Sequence, residues 1–291
     1  MSAIIFYLVY SIVWVITWLP MRLLYGLSDF IFFLIYYIVG YRKEVVLENL
    51  RNSFPEKSEE KLKIIRKKFY RHFADIIIEI GAQVHFSEKE IIKRCKLKNP
   101  EVLNKLYNQN KSVTAIFGHF GNWEWESGMA LQTKYNCLAI YKPLSNLHFD
   151  KLMANLRQKF GVEVVPMSKI YRKLSEAKNA NRQTLTYFIA DQSPMRRDIK
   201  LWIDFMNQKT GVFLGADKIS KKLNNAIVYF KMQKIKRGYY EVEAITLFDD
   251  LKNVSENEIT IRHMAILEEM IKEQPEHWLW SHKRWKHQPD K

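Results

Sequence analysis

The fold is decided by residues 112–126, which read SVTAIFGHFGNWEWE. Residues 112–117 form a short, apolar, β-rich run, and a turn flanked by two glycines follows at residues 118–121. The residues after this turn predict a helix that continues through Met129 and Leu131. In an open α/β sheet, ligands bind beyond the carboxyl ends of the strands. We therefore expect the turn to carry the chemistry of the protein.

Similar apolar runs recur along the rest of the chain and define the fold class. Stretches with helical periodicity separate most of them, and an alternation of strands with helices predicts an α/β fold with a mixed, largely parallel central sheet flanked by helices. The last two runs read as an antiparallel hairpin. Without an internal repeat or a low-complexity linker, residues 42–291 are predicted to form one domain. The further β-rich runs are residues 137–141, 162–165, 184–190, 227–232 and 239–247.

Residues 1–41 are predicted to anchor the chain in a membrane. They contain only two charged side chains, Arg22 and Asp29, and they are rich in the tyrosine and tryptophan that suit a membrane interface. A helix that crosses a bilayer needs about 20 apolar residues, which the first apolar run just reaches. The early positive charge and the cleavage site of a signal peptide are missing. Pro20 and Gly26 divide the segment, so a single span and a span with a re-entrant or interfacial helix both stay open.

The charge of the remaining chain indicates anionic partners. The sequence has 46 Lys and Arg against 31 Asp and Glu, a net charge of +15 that lies entirely in residues 42–291. Arg42, Lys43 and Arg51 follow the apolar segment, and the positive-inside rule then predicts that the remaining chain lies on the cytoplasmic side of the membrane. Such a charge suits phospholipid, an acidic protein or nucleic acid. Nucleic acid is not expected, because no recognisable nucleic-acid-binding motif is present.

A metal centre and a disulfide framework are not expected. Cys95 and Cys137 are too few for such a framework and form no CxxC pair, so a reduced compartment is the default. His277, His282 and His287 are spaced by five residues, and on a helix each would be rotated by about 140° from the one before. Because tryptophan and basic residues are interleaved with them, we expect the tail to be an interfacial or lipid-headgroup segment.

His119, on the turn after the first strand, is the candidate general base. Glu124 follows five residues later, and the two can meet only if the helix folds under the turn. A carboxylate in contact with the imidazole would fix its tautomer and raise its basicity. Backbone N–H groups after Gly121 are candidate donors to an oxyanion. Glu126 lies just beyond this spacing and is expected on a solvated helix face.

The segment from His119 to Glu124 is an H-x4-(D/E) motif. With this motif, the whole chain resembles the lipid A biosynthesis late acyltransferases. These are the lauroyl/myristoyl branch of the glycerolipid acyltransferase superfamily. Further segments that fit the family occur in the same order over nearly the full length. One segment departs from the commonest pattern, because Asp191 and Gln192 are followed by SPMRR rather than by glycine. The matching segments are NLRNSFPE at residues 49–56, YKPL at 141–144, Arg157 with Gly161, Asp191 with Gln192, FLG at 213–215 and WSHKRW at 280–285.

The resemblance implies an inner-membrane enzyme that moves an acyl chain from acyl carrier protein to a hydroxyl of a lipid A precursor, without a covalent acyl-enzyme. It implies that His119 is the base and Glu124 its orienting carboxylate. Arg157 would bind the phosphate of the lipid or the phosphopantetheine of the carrier protein. Lys142 and Asn122 are further candidates for substrate binding, and Asp191 could position a substrate group or a basic side chain, with a purely structural role also open. No metal is implied, and no cofactor beyond the phosphopantetheine that carries the acyl donor.

Two alternatives stay open at this point. The same chemistry would serve another acceptor, such as an aminolipid, a lysophospholipid or a different glycolipid. A basic membrane-surface protein without enzymatic activity would also explain the charge. That alternative gives no reason for a histidine and a carboxylate at the end of a strand.

Overall fold

The computed structural model describes residues 3–289 and has the predicted mixed α/β architecture. Seven strands form one sheet in the order β1-β9-β8-β2-β5-β3-β4, and β6 and β7 form a separate antiparallel pair. The strands are β1 (Cys95–Leu97), β2 (Val113–Phe117), β3 (Asn136–Tyr141), β4 (Glu163–Pro166), β5 (Thr184–Ile189), β6 (Trp202–Phe205), β7 (Gln208–Gly211), β8 (Ala226–Lys236) and β9 (Tyr239–Phe248).

Ten α-helices cover the sheet and extend from it within the described residues. A π-helix, Leu34–Val39, continues α2, and a 3₁₀-helix, Trp123–Gln132, follows β2 in place of the predicted α-helix. The α-helices are α1 (Ala3–Ile16), α2 (Met21–Phe33), α3 (Lys43–Ser53), α4 (Glu59–Ala82), α5 (Glu88–Arg94), α6 (Pro100–Asn108), α7 (Leu147–Gln158), α8 (Ile170–Asn179), α9 (Gly215–Leu223) and α10 (Glu258–Glu273).

Strand β2 lies at the centre of the molecule because both of its faces are apolar. All five of its residues are buried, as expected for a strand between two layers of helices. It pairs in parallel with β5 on one side and with β8 on the other. Ile116 packs into the core on one face of the sheet, and Val113 and Ala115 pack into the core on the opposite face. The carboxyl ends of β2 and β5 therefore meet at one edge.

The predicted hairpin of the last two strands is confirmed. β8 and β9 pair antiparallel over most of their length, and the turn between them contains Gly238 with a φ of 74°. The short strand β1 and the pair β6–β7 were not predicted from the sequence. β1 has only three residues, and residues 202–211 lack a clear alternation of apolar and polar side chains.

The apolar N-terminal segment folds as two helices rather than one. α1 ends at Ile16, so the first apolar run is shorter as a helix than the predicted span. Among the described residues, one helix, Met21–Val39, is long and apolar enough to cross a bilayer by length and composition. It carries a polar face, because Ser28 donates a hydrogen bond to Asp75 of α4 at 2.7 Å and Asp29 pairs with Arg237 at 2.8 Å. The role of residues 1–41 as an anchor stays a prediction.

Candidate active site

His119 and Asp191 meet at the carboxyl ends of two neighbouring strands. His119 follows β2 and Asp191 follows β5, and these strands run parallel with Phe117 opposite Ile189. The backbone N–H of His119 donates to Asp191 Oδ2 at 2.8 Å, and the ring Nδ1 lies 2.6 Å from Asp191 Oδ1. The carboxylate therefore holds both the backbone and the imidazole of the histidine.

Asp191 is buried but is held as an anion. Only 3% of the residue is exposed, and the indole N–H of Trp278 donates a third hydrogen bond, at 2.8 Å to Oδ2. Burial by itself would raise the pKa of Asp191. Electrostatic attraction to the neighbouring His119 and the hydrogen bonds from His119 and Trp278 outweigh it, so the pKa of Asp191 lies well below its usual range. A fixed carboxylate of this kind matches the third member of a catalytic triad.

The arrangement selects one tautomer of His119. An ionised carboxylate only accepts hydrogen bonds, so Nδ1 carries the proton that faces Asp191. Nε2 then has a free lone pair, and the side-chain amide of Gln192 approaches it at 3.1 Å. The ring nitrogen on the side away from Asp191 is therefore the basic one.

Glu124 does not contact His119, and this part of the prediction is wrong. The Glu124 carboxylate instead accepts two hydrogen bonds from Arg157 of α7, from Nε at 2.9 Å and from Nη2 at 2.6 Å. Glu124 lies in the first turn of the 3₁₀-helix, which directs it toward α7 rather than under the turn. Asp191, distant in sequence, has the position that the sequence assigned to Glu124.

Asn122 is also placed differently from its prediction as a substrate-binding residue. Its side chain is fully buried and donates to Glu79 of α4 at 2.7 Å. Tyr25 of α2 and Tyr240 of β9 donate to the same carboxyl group at 2.9 and 2.8 Å. Asn122 therefore fastens the turn to the helices beneath it and does not line the cavity.

Of the amides after Gly121 that were predicted as donors to an oxyanion, the amide of Asn122 is already engaged, and so is that of Gly121 itself. The N–H of Gly121 donates to the backbone carbonyl of His277 at 3.0 Å, and the N–H of Asn122 points to the sulfur of Met232 at 3.2 Å. Gly121 has a φ of 61°, and a Cβ there would lie 2.6 Å from the same sulfur. The turn is thus shaped for close packing, and these two amides are not free to bind a substrate.

A cavity of about 1090 Å³ opens at the carboxyl edge of the sheet beside His119. Glu124, Arg157, Lys142 and Gln192 contribute to its wall, whereas Asp191 lies behind the imidazole. Most of the wall is apolar. Of the four aromatic residues expected along an acyl channel, Phe117 and Trp123 line the cavity, whereas Phe120 and Trp125 pack into the two cores.

The C-terminal tail is part of the core, which contradicts its prediction as an interfacial segment. Trp278 and Trp280 are buried, and Phe120 forms an isolated antiparallel bridge with Trp278. The backbone N–H of Leu279 donates to the carbonyl of His119 at 3.1 Å. Burial lowers the pKa of His277 and of His282 to about 4. The tail therefore packs over the turn that carries His119 and bonds to its backbone.

Three residues of this arrangement were missed from the sequence: Gln192, Glu79 and Trp278. Gln192 adjoins Asp191 in the family-like segment, which was the available signal. Glu79 is one of two buried carboxylates of α4, the other being Asp75, and only the fold shows its partners. Over residues 3–289, no group of three or more histidine, cysteine, aspartate or glutamate side chains could hold a metal ion.

Comparisons with known proteins agree with the motif. The family model described as "Bacterial lipid A biosynthesis acyltransferase" matches residues 1–287. The chain is 21% identical over 251 residues to the lipid A biosynthesis palmitoleoyltransferase of Escherichia coli (strain K12), covering 85% of this chain and 80% of that protein. It is similar to the same extent to the lipid A biosynthesis acyltransferase of Shigella flexneri, with 21% identity and the same coverage.

Proposed function

The chain belongs to the bacterial lipid A biosynthesis acyltransferase family, and on this premise we propose that it transfers an acyl chain from acyl carrier protein to a hydroxyl group of a lipid A precursor. His119 is the general base of this proposal, and Asp191 orients it. The observation that carries the proposal is the 2.6 Å contact between His119 Nδ1 and Asp191, at the edge of a large apolar cavity.

The proposed reaction is a direct displacement. Nε2 of His119 removes the proton of the acceptor hydroxyl while its oxygen attacks the thioester carbonyl, and a new C–O bond forms. When the tetrahedral intermediate collapses, the C–S bond breaks and the imidazolium returns its proton to the leaving thiolate. Asp191 stabilises the imidazolium between these steps. General base catalysis of this kind supplies about 10²–10⁴-fold in rate.

Gln192 has a defined place in this sequence of events. Its amide approaches Nε2 where the acceptor hydroxyl must bind. The side chain therefore moves aside, or donates to the acceptor oxygen, when the lipid enters. Before the acceptor arrives, it keeps the basic nitrogen of the imidazole hydrogen-bonded.

Arg157 is the anion-binding residue of the proposal. A guanidinium has five N–H donors, and Glu124 takes two of them in a bidentate pair. The remaining donors are available for a phosphate of the acceptor or for the phosphopantetheine of the donor. Glu124 fixes the plane of the guanidinium in the cavity wall, and Lys142 adds a positive charge near the mouth. Glu124 is thus a positioning residue for Arg157.

The cavity and the surface fit a lipid substrate and an acidic donor protein. The largely apolar wall suits an acyl chain, which is driven out of water by about 0.8 kcal/mol per CH₂. The net charge of +15 favours encounter with the acidic carrier protein and with anionic phospholipid. The proposed site faces the cytoplasm at the inner membrane, where residues 1–41 hold the enzyme. The reaction needs no cofactor besides the phosphopantetheine of the donor.

A mass-spectrometric transfer assay tests the proposal. Detergent-solubilised wild type and His119→Ala receive acyl carrier protein thioesters and a tetra-acylated lipid A precursor. We expect the precursor to gain the mass of one acyl group with wild type and to stay unchanged with the variant. Thioester consumption without lipid acylation would refute the acceptor, and equal transfer by both proteins would refute the role of His119.

A further inference from the structure

The wall of the cavity contains a second acidic residue with surroundings unlike those of Glu124. Glu126 lines the same cavity and is only 1% exposed. Its Oε2 atom is buried and has no hydrogen-bond partner among residues 3–289. Such an unpartnered polar atom is rare in a folded protein and calls for a physical explanation.

The surroundings of Glu126 favour the neutral acid. Burial raises its pKa well above the usual range. Arg157, a basic side chain in the same wall, is engaged by Glu124 instead. A protonated carboxyl group can donate one hydrogen bond as well as accept others. Glu126 therefore presents a hydrogen-bonding group, and not a charge, to the interior of the cavity.

A second polar group lies in the cavity wall. The Tyr187 hydroxyl is buried, and within the described part of the chain it has no hydrogen bond of good geometry, only the weakly hydrogen-bonding thiol of Cys137 beside it. Tyr187 lines the same cavity as Glu126, and burial raises the pKa of its hydroxyl. Apolar side chains of Phe117, Ala139 and Val162 contribute to the same wall. Two buried polar groups without a full set of hydrogen bonds thus lie in the wall of a largely apolar cavity.

We propose that Glu126, together with Tyr187 in the wall of the same cavity, recognises a hydroxyl group on the transferred acyl chain, so that the enzyme prefers a hydroxyacyl donor to an unsubstituted one. This inference rests on the proposed function. A plain hydrocarbon chain in this part of the cavity would leave both polar groups without partners, whereas a hydroxyl can donate to one group and accept from the other. A site built around a substrate hydroxyl discriminates against the analogue that lacks it.

A competition assay with two matched variants tests this preference. Wild type, Glu126→Gln and Glu126→Met receive equimolar mixtures of dodecanoyl carrier protein and dodecanoyl donors hydroxylated at carbon 2, 3 or 12. The lipid products are identified by mass spectrometry. Glutamine keeps a hydrogen-bonding group of similar size, whereas methionine fills the same volume without one. We expect wild type and Glu126→Gln to prefer one hydroxylated donor, and Glu126→Met to lose at least about tenfold of that preference.

The proposal is overturned if wild type prefers the plain donor to every hydroxylated donor, or if Glu126→Met keeps the preference of wild type. A change of preferred chain length in Glu126→Met without any discrimination of hydroxyl groups would also overturn it. If no donor is transferred to any lipid, the proposed function fails. The preference for a hydroxyl group is then tested separately, by calorimetric measurement of the binding of dodecanoic acid and its hydroxylated forms. Tighter binding of a hydroxylated acid by wild type, lost in Glu126→Met, supports it, and equal binding refutes it.

Discussion

At the scale of single residues, three carboxylates that lie close to the cavity have three different states. Asp191 is buried and ionised, because His119 and Trp278 donate hydrogen bonds to it. Glu124 is paired with Arg157. Glu126 is buried without a partner for Oε2 in the described chain. Their surroundings, and not their residue type, therefore assign each a separate role.

Asn122 gives the first prediction at this scale. The substitution Asn122→Ala removes a donor from Glu79 but no group from the cavity wall. We expect the melting temperature and kcat to fall while KM for the lipid stays within about twofold, because the lost contact positions the catalytic turn. Steady-state kinetics and thermal unfolding measure both. A rise in KM without a loss of stability would instead indicate that Asn122 binds the substrate.

Gly118 gives the second prediction at the scale of single residues. A Cβ at this position would lie 2.8 Å from Leu267 and 3.1 Å from Asp191 Oδ2. The Leu267 side chain can yield, but a displaced Asp191 carboxylate would misalign the imidazole. We expect Gly118→Ala to lower kcat by about 10²-fold, the scale of a 1 Å misplacement. Gly26→Ala is the control, since nothing lies within 4 Å of that Cβ. Full activity of Gly118→Ala would show that the Asp191 contact is not essential.

At the scale of elements, the sequence predicted the sheet well and the contacts of the site less well. β2, β3, β4, β5, β8 and β9 each produce a local apolar pattern that can be read without a structure. The partner of His119 cannot be read in this way, because it depends on β5 pairing beside β2. Local spacing favoured Glu124, and tertiary pairing gave the contact to Asp191. The tail was misread for the same reason, since its tryptophans suit a membrane interface and a protein core equally well.

The C-terminal tail provides a prediction at this scale. The indole of Trp278 donates to Asp191, and the backbone around it holds the catalytic turn. Trp278→Phe keeps most of the packing but removes the N–H donor. We expect a fall of roughly tenfold in kcat with a small change in melting temperature, since one hydrogen bond to a charged group is lost. An unchanged kcat would show that the other two hydrogen bonds suffice.

At the scale of the whole molecule, buried histidines make the stability depend on pH. Burial lowers the pKa of His263 from 6.5 to about 4. The unfolded chain therefore binds a proton at higher pH than the folded protein does, so stability present above pH 6.5 is lost as the pH falls toward 4. We expect His263→Gln to reduce the slope of the free energy of unfolding in this range by up to about 1.4 kcal/mol per pH unit. Denaturant titrations of both proteins at several pH values measure this slope, and an equal slope would contradict the assignment.

The exposed apolar surface of the N-terminal helices gives a second prediction at this scale. Ile38 and Val39 are 66% and 69% exposed, beside basic side chains of α4 such as Lys67, which lies over the ring of Tyr37. If this surface enters the membrane, replacing both residues with asparagine weakens binding to anionic vesicles by at least about tenfold. The exposed Ile261 of α10 supplies the control, Ile261→Asn. Equal vesicle binding by the two variants would place the membrane contact elsewhere.

The central proposal is that His119 acts as a base and that Asp191, and not Glu124, orients it. The most direct test compares single-turnover acyl transfer by wild type, Asp191→Asn and Glu124→Gln, all checked for native folding. We predict that Asp191→Asn lowers the transfer rate by about 10³–10⁴-fold, because an amide no longer stabilises the imidazolium. Glu124→Gln is predicted to act mainly on KM through Arg157. Near-normal transfer by Asp191→Asn, with a collapse in Glu124→Gln, would contradict the claim.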